Sequence, residues 1–224
     1  MAEVSTSILN LMEKPLKEEE LIRILYDIEI SRTDYFHIDV MDGEFVPKNT
    51  SQFMLKTTSV INEISTVPVD VHLMVKNVKE YVDEYLAYEP NIITFHLEAM
   101  KDRNDTVEMI KYIKKNNCKV GISIKPNTDL NEVLDFLPYV HMVLIMTVEP
   151  GEGRQGFIAQ TLEKVKELKK YLDQNQLSID IEVDGGINSD TVNIAKEAGA
   201  NMLVVGTAII NAENRREVIN KLKA

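Results

Sequence analysis

The strongest constraint on this chain is a regular alternation that runs from one end to the other. Short apolar runs, rich in Ile, Val and Phe, give way to longer amphipathic stretches and back again. The runs at 4–9, 35–40, 69–74, 92–96, 119–124, 142–147, 179–183 and 202–205 read as buried parallel strands. Helical spacing of apolar residues marks 16–31, 53–64, 78–88, 106–117, 162–172, 190–198 and 213–222. A short helix at 131–137 ends at Pro138. Eight strands, each followed by a helix, within 224 residues predict a (β/α)8 barrel. A doubly wound open sheet competes, but it often opens with a glycine-rich turn after its first strand. Here that strand runs into Leu11-Met-Glu-Lys-Pro15, without a glycine. No linker or low-complexity tract divides the chain, so residues 1–224 are expected to form one domain.

Composition narrows the function classes. The formal net charge is −11, and lysine-rich pieces such as the one at 164–170 carry interleaved acids. No basic footprint for nucleic acid is visible. No apolar run is long enough to span a membrane, and the first residues lack the basic start and apolar run of a secretory signal. Cys118 is the one cysteine. It excludes an internal disulfide, fits a cytoplasmic location, and reads as a small residue beside a buried strand.

The chemistry concentrates where barrels place it, at the C-terminal ends of strands. Side chains alternate along a strand. His37, Asp39 and Met41 therefore share one face of the second strand, and Phe36, Ile38 and Val40 share the other. His72 and Met74 repeat the spacing on the third strand; Met146 ends the sixth and Asp184 follows the seventh. Two histidines and two carboxylates from three strands can hold a divalent metal through mixed N and O ligands. Taken singly, His72 also fits a satisfied core histidine, and the three methionines fit core packing. At strand ends the methionines would instead form an apolar floor around a reactive centre. Asp70, His96 and Glu98 read as supporting residues. The loops Asp184-Gly185-Gly186-Ile187 and Gly206-Thr207-Ala208 follow the last two strands, a frequent phosphate site in barrels. The glycine-rich stretch at 149–156 reads as a lid, with Arg154 as a possible phosphate contact.

These motifs, in barrel order, resemble the ribulose-phosphate 3-epimerase family. The resemblance is carried by Ser7-Ile-Leu9, His37-Ile-Asp39-Val-Met41-Asp42-Gly43 and Asp70-Val-His72-Leu-Met74. Phe95-His96-Leu-Glu98-Ala99, Met146-Thr-Val-Glu-Pro150-Gly151, Val183-Asp184-Gly185-Gly186-Ile187 and Val205-Gly206-Thr207-Ala208 continue it. It implies a barrel of the ribulose-phosphate-binding type and an isomerase that inverts carbon 3 of a phosphorylated ketose. The expected reaction converts D-ribulose 5-phosphate to D-xylulose 5-phosphate through a metal-stabilised enediolate. The resemblance assigns His37, Asp39, His72 and Asp184 to one divalent ion, zinc first, with iron, manganese or cobalt as alternatives. It makes Asp39 and Asp184 the acid/base pair. It places Ser7, Met41, His72, Met74, Met146, Gly153, Gly185, Gly186, Gly206 and Thr207 around the substrate, and a homo-oligomer is expected.

The chain departs from the family pattern at Glu44 (usually His), Lys48 (usually Asn) and in the lid at Glu152 and Arg154. These changes keep an allulose-6-phosphate 3-epimerase as the nearest rival. A sugar-phosphate lyase, with Lys125 as the strand-end amine, and a phosphosugar-binding protein without activity are more distant readings.

Overall fold

The computed structural model describes residues 2–151 and 156–224. Eight parallel strands close into a barrel in chain order: β1 (Glu3–Ser7), β2 (Tyr35–Met41), β3 (Val69–Met74), β4 (Ile92–His96), β5 (Lys119–Ile124), β6 (Met142–Met146), β7 (Asp180–Asp184) and β8 (Met202–Val205). β8 pairs with β1 to complete the ring. Around it run α1 (Glu18–Ile30), α2 (Ser51–Ile64), α3 (Val78–Leu86), α4 (Arg103–Lys115), α5 (Asn131–Leu134), α6 (Thr161–Asn175), α7 (Val192–Ala198), α8 (Thr207–Ile210) and α9 (Arg215–Lys223). The fold is a (β/α)8 barrel, as the alternation predicts.

The two faces of each strand have different jobs. Phe36, Ile38, Val71, Ile93, Phe95 and Ile122 are wholly buried within the main apolar cluster, which includes residues of the surrounding helices. Truncating Phe36 or Phe95 to alanine would cost about 3–5 kcal/mol through lost transfer energy and the cavity left behind. Tyr35, Ile92, Met142 and Met202 form a separate cluster. They open β2, β4, β6 and β8, so they make one layer from alternate strands and plug the lower end of the barrel. The next layer up is polar, with Ser5, Asp70 and Glu182 all buried.

Where the structure departs from the sequence expectation, local hydrogen bonds give the reason. β1 ends at Ser7 rather than at residue 9, because the Ser7 hydroxyl accepts from the Leu9 N–H at 3.3 Å and bends the chain into a 3-10 turn over Leu9–Leu11. α1 begins at Glu18, after Pro15, where the Glu20 carboxylate accepts from the Lys17 N–H at 3.0 Å. α4 starts earlier than expected because Asp102 caps it, accepting from the amides of Asn104 and Asp105. The single turn α8, directly after β8, was not anticipated.

Candidate metal centre and active site

Register delivers the polar side chains to one place. Asp39 on β2 pairs with His72 on β3, and His37 sits one layer below beside Asp70. β7 ends at Asp184, paired with Met146 of β6. One ligand atom from each of His37, Asp39, His72 and Asp184 lies within 4.8 Å of all the others. His37 Nε2 is 3.4 Å from Asp39 Oδ1; His72 Nδ1 is 3.7 Å from Asp39 Oδ1 and 3.4 Å from Asp184 Oδ2.

These separations are long for hydrogen bonds. Both imidazole nitrogens are buried and find no hydrogen-bond partner among the described residues. Two ligands held about 2.1 Å from one tetrahedral ion sit roughly 3.4 Å apart, so the four side chains fit a divalent cation. His72 is therefore not a satisfied core histidine.

The surroundings fix the ligands. His37 Nδ1 lies 2.5 Å from Asp70 Oδ2, which also accepts from the Ser5 hydroxyl at 2.9 Å. This leaves Nε2 to face the centre. The Ser7 hydroxyl donates to Asp39 Oδ2 at 2.6 Å, and the Thr50 hydroxyl donates to the Asp39 carbonyl at 2.6 Å. Burial by itself would push the Asp39 carboxyl up. The combined pull of His37 and His72 outweighs it and holds Asp39 well below the usual carboxylate range, hence ionised. Glu182 shows the opposite: burial first, then the neighbouring Asp70 charge, pushes its carboxyl well up. Glu182 lies beneath the site, and both of its carboxylate oxygens are buried without a hydrogen-bond partner among the described residues.

Above the cluster opens a cavity of about 380 Å³. Ser7, Met41, Met74, Met146, Gly185, Gly186, Gly206 and Thr207 line it together with Asp39 and Asp184. His72 does not reach the wall; it lies behind the two aspartates. The expected contact at Gly153, like the lid residues Glu152 and Arg154, falls outside the described residues. Met41, Met74 and Met146 are almost completely buried, as a floor requires. Gly185 has φ +118°, and a Cβ there would lie 2.3 Å from Val148 Cγ2, so the turn beneath the cavity needs glycine. Lys125 does not enter the cavity; its ammonium lies 4.1 Å from the centre of the Phe45 ring. Among the described residues no lysine lines the wall.

Sequence reasoning missed Asn10, which lines the cavity and donates to the Thr207 hydroxyl at 2.6 Å. It also missed Glu182. The strict alternation Asp180, Glu182, Asp184 was the available signal for an inward-facing acid.

Comparison with known proteins agrees with this geometry. A family model described as the ribulose-phosphate 3 epimerase family matches residues 3–210. Ribulose-phosphate 3-epimerase of Mycobacterium leprae is 38% identical over 194 residues, 87% of this chain and 84% of that protein. The enzyme of the same name from Escherichia coli K12 is 38% identical over 192 residues, 85% of this chain and 83% of that protein. A 3-hexulose-6-phosphate synthase structure from Salmonella typhimurium, with a TM-score of 0.64 and 15% identity, covers 99% of this chain and 96% of its own, a likeness of fold. With the barrel, the buried His/Asp cluster and this similarity in hand, the chain belongs to the ribulose-phosphate 3-epimerase family and is an isomerase acting on carbohydrate phosphates.

Proposed function

We propose that the protein inverts carbon 3 of D-ribulose 5-phosphate to give D-xylulose 5-phosphate, with Asp39 and Asp184 as the two proton-transfer groups. The observation that carries this reading is their placement. Carboxylates from β2 and β7, three strands apart around the ring, flank His72 Nδ1 at 3.7 and 3.4 Å and both open into the cavity. A C–H beside a ketone is a weak acid, and inversion needs one group to take the proton and another to return one on the other face.

Asp39, ionised and steadied by the Ser7 hydroxyl, acts as the base in one direction; Asp184 supplies the proton opposite. Met41, Met74 and Met146 exclude water from the planar intermediate. Gly185, Gly186, Gly206 and Thr207 offer backbone N–H groups and a hydroxyl to the phosphate. A divalent ion held by His37, Asp39, His72 and Asp184 supplies Lewis-acid stabilisation of the developing negative charge. The two-nitrogen, two-oxygen donor set suits zinc first, with iron, manganese or cobalt as alternatives.

Two of the departures from the family pattern, Glu44 and Lys48, lie away from the cavity and do not bear on which ketose phosphate fits. Glu44 pairs with Lys76 at 3.6 Å and Lys48 with Glu13 at 3.8 Å; neither Glu44 nor Lys48 lines the cavity. The test incubates metal-loaded protein with ribulose 5-phosphate and with allulose 6-phosphate in deuterated water. Deuterium should enter at carbon 3, faster for the pentulose, and stop on chelation. Carbon–carbon cleavage, or binding without exchange, would end the reading.

A further inference from the structure

His72 presents Nδ1 to the metal cluster, and its other nitrogen is not idle. His72 Nε2 lies 3.0 Å from His96 Nε2, and His96 Nδ1 lies 3.1 Å from Glu98 Oε2. The other Glu98 oxygen accepts from the Lys125 N–H at 2.7 Å and from the Thr128 hydroxyl. The chain of contacts therefore runs from the loop after β5, through the end of β4, to β3. Both imidazoles are fully buried, so water cannot substitute for a missing partner.

An ionised carboxylate can only accept. His96 must then carry its proton on Nδ1, which leaves Nε2 as an acceptor. His72 must donate from Nε2, and a neutral His72 then keeps a free lone pair on Nδ1, aimed at Asp39 and Asp184. One tautomer assignment satisfies every contact, and the opposite one leaves an N–H facing the centre.

We propose that His96 and Glu98 are positioning residues that lock His72 in the tautomer with a metal-ready Nδ1 and tie it to the loop after β5. This rests on the metal-centre reading above. Phe45 buttresses the relay, its ring centre 4.9 Å from that of His96. Nitrogen NMR of the zinc-loaded protein should show the His72 proton on Nε2 and the zinc on Nδ1. The zinc-free protein at mildly alkaline pH should already hold the same tautomer.

Glu98→Gln is the sharp variant, because Glu98 sits near the surface and the change keeps its shape. A glutamine that turns its NH₂ toward His96 reverses the chain and puts a proton on His72 Nδ1. Zinc affinity, read by chelator competition, should fall about 10- to 100-fold, with a mixed His72 tautomer in the spectrum. His96→Phe, which keeps a ring but removes the acceptor, should do the same. Zinc affinity within twofold of wild type in both variants, or a wild-type His72 protonated on Nδ1, overturns the relay. A wild type that takes up no zinc overturns the relay and the metal centre together. A wild type with the expected tautomer and zinc affinity but no deuterium exchange leaves the relay standing and removes the epimerase assignment.

Discussion

Replacing Asp184 by asparagine tests the two-acid arrangement most directly. The Asp39 and Asp184 ligand oxygens lie within 4.8 Å. At an effective dielectric of about 20, two full negative charges that close repel by at least about 3.5 kcal/mol. The pair is therefore stable only with a proton or a cation between its members, which is the condition an acid on one face and a base on the other require. Asparagine keeps the shape and a ligating oxygen but cannot carry the proton. Losing one general acid/base group should lower kcat about 100- to 10,000-fold, or roughly 3–5 kcal/mol in the barrier. KM should change little, because the glycine loops are untouched. The assay follows carbon 3 by proton NMR in deuterated water, starting from each epimer separately. Asp184→Asn should let deuterium wash into one epimer without crossing to the other, since Asp39 still works on its own face. Asp39→Asn should show the mirror-image selectivity. If Asp184→Asn, with an unchanged melting curve, interconverts the epimers within about tenfold of the wild-type rate, the two-face scheme is wrong.

Three further outcomes follow from the same geometry. Chelation should lower the melting temperature as well as abolish turnover, since a cation at 100 times its Kd stabilises the folded state by about 2.7 kcal/mol; a melting curve indifferent to chelator and to added zinc would contradict the metal centre. Burial, reinforced by His72 and Lys125 and only partly opposed by Glu98, lowers the His96 imidazole to about 4, below its unfolded value near 6.5. Its stabilising contribution is thus complete above about pH 6.5 and is lost as pH falls through 4. Urea unfolding of the metal-free protein should show about 2–3 kcal/mol of this loss between neutrality and about pH 4.5, and His96→Phe should remove it. Finally, Gly185→Ala forces a Cβ to within 2.3 Å of Val148 at φ +118°. It should cost about 1–3 kcal/mol of stability and raise KM more than it lowers kcat, as steady-state kinetics on the refolded variant would reveal.

Much of the architecture was already written in local patterning. Parallel strands covered on both faces need near-continuous apolar residues, and that need marked β3, β4, β5 and β8 at their observed bounds. Period-two alternation placed His37, Asp39 and Met41 on one face of β2 without reference to any other part of the chain. The errors fell where side chains compete with regular structure for backbone hydrogen bonds. The Ser7 hydroxyl ended β1 early, and Asp102 began α4 early.

Pattern could not say which distant residues meet. Asp184 reaches His72 only because the ring closes in strand order and sets the end of β7 level with the middle of β3. Nothing in the sequence around Glu182 says that it lies next to Asp70, or around His96 that it meets His72 Nε2 at 3.0 Å. Secondary structure arises from interactions among near neighbours, so the sequence alone determined the strands, the helices and the inward-facing set. The separations among buried charges arise from barrel closure and shear, and these decided which inward residues gather into the His/Asp cluster, which acid lies buried beneath it, and which residues stand behind it.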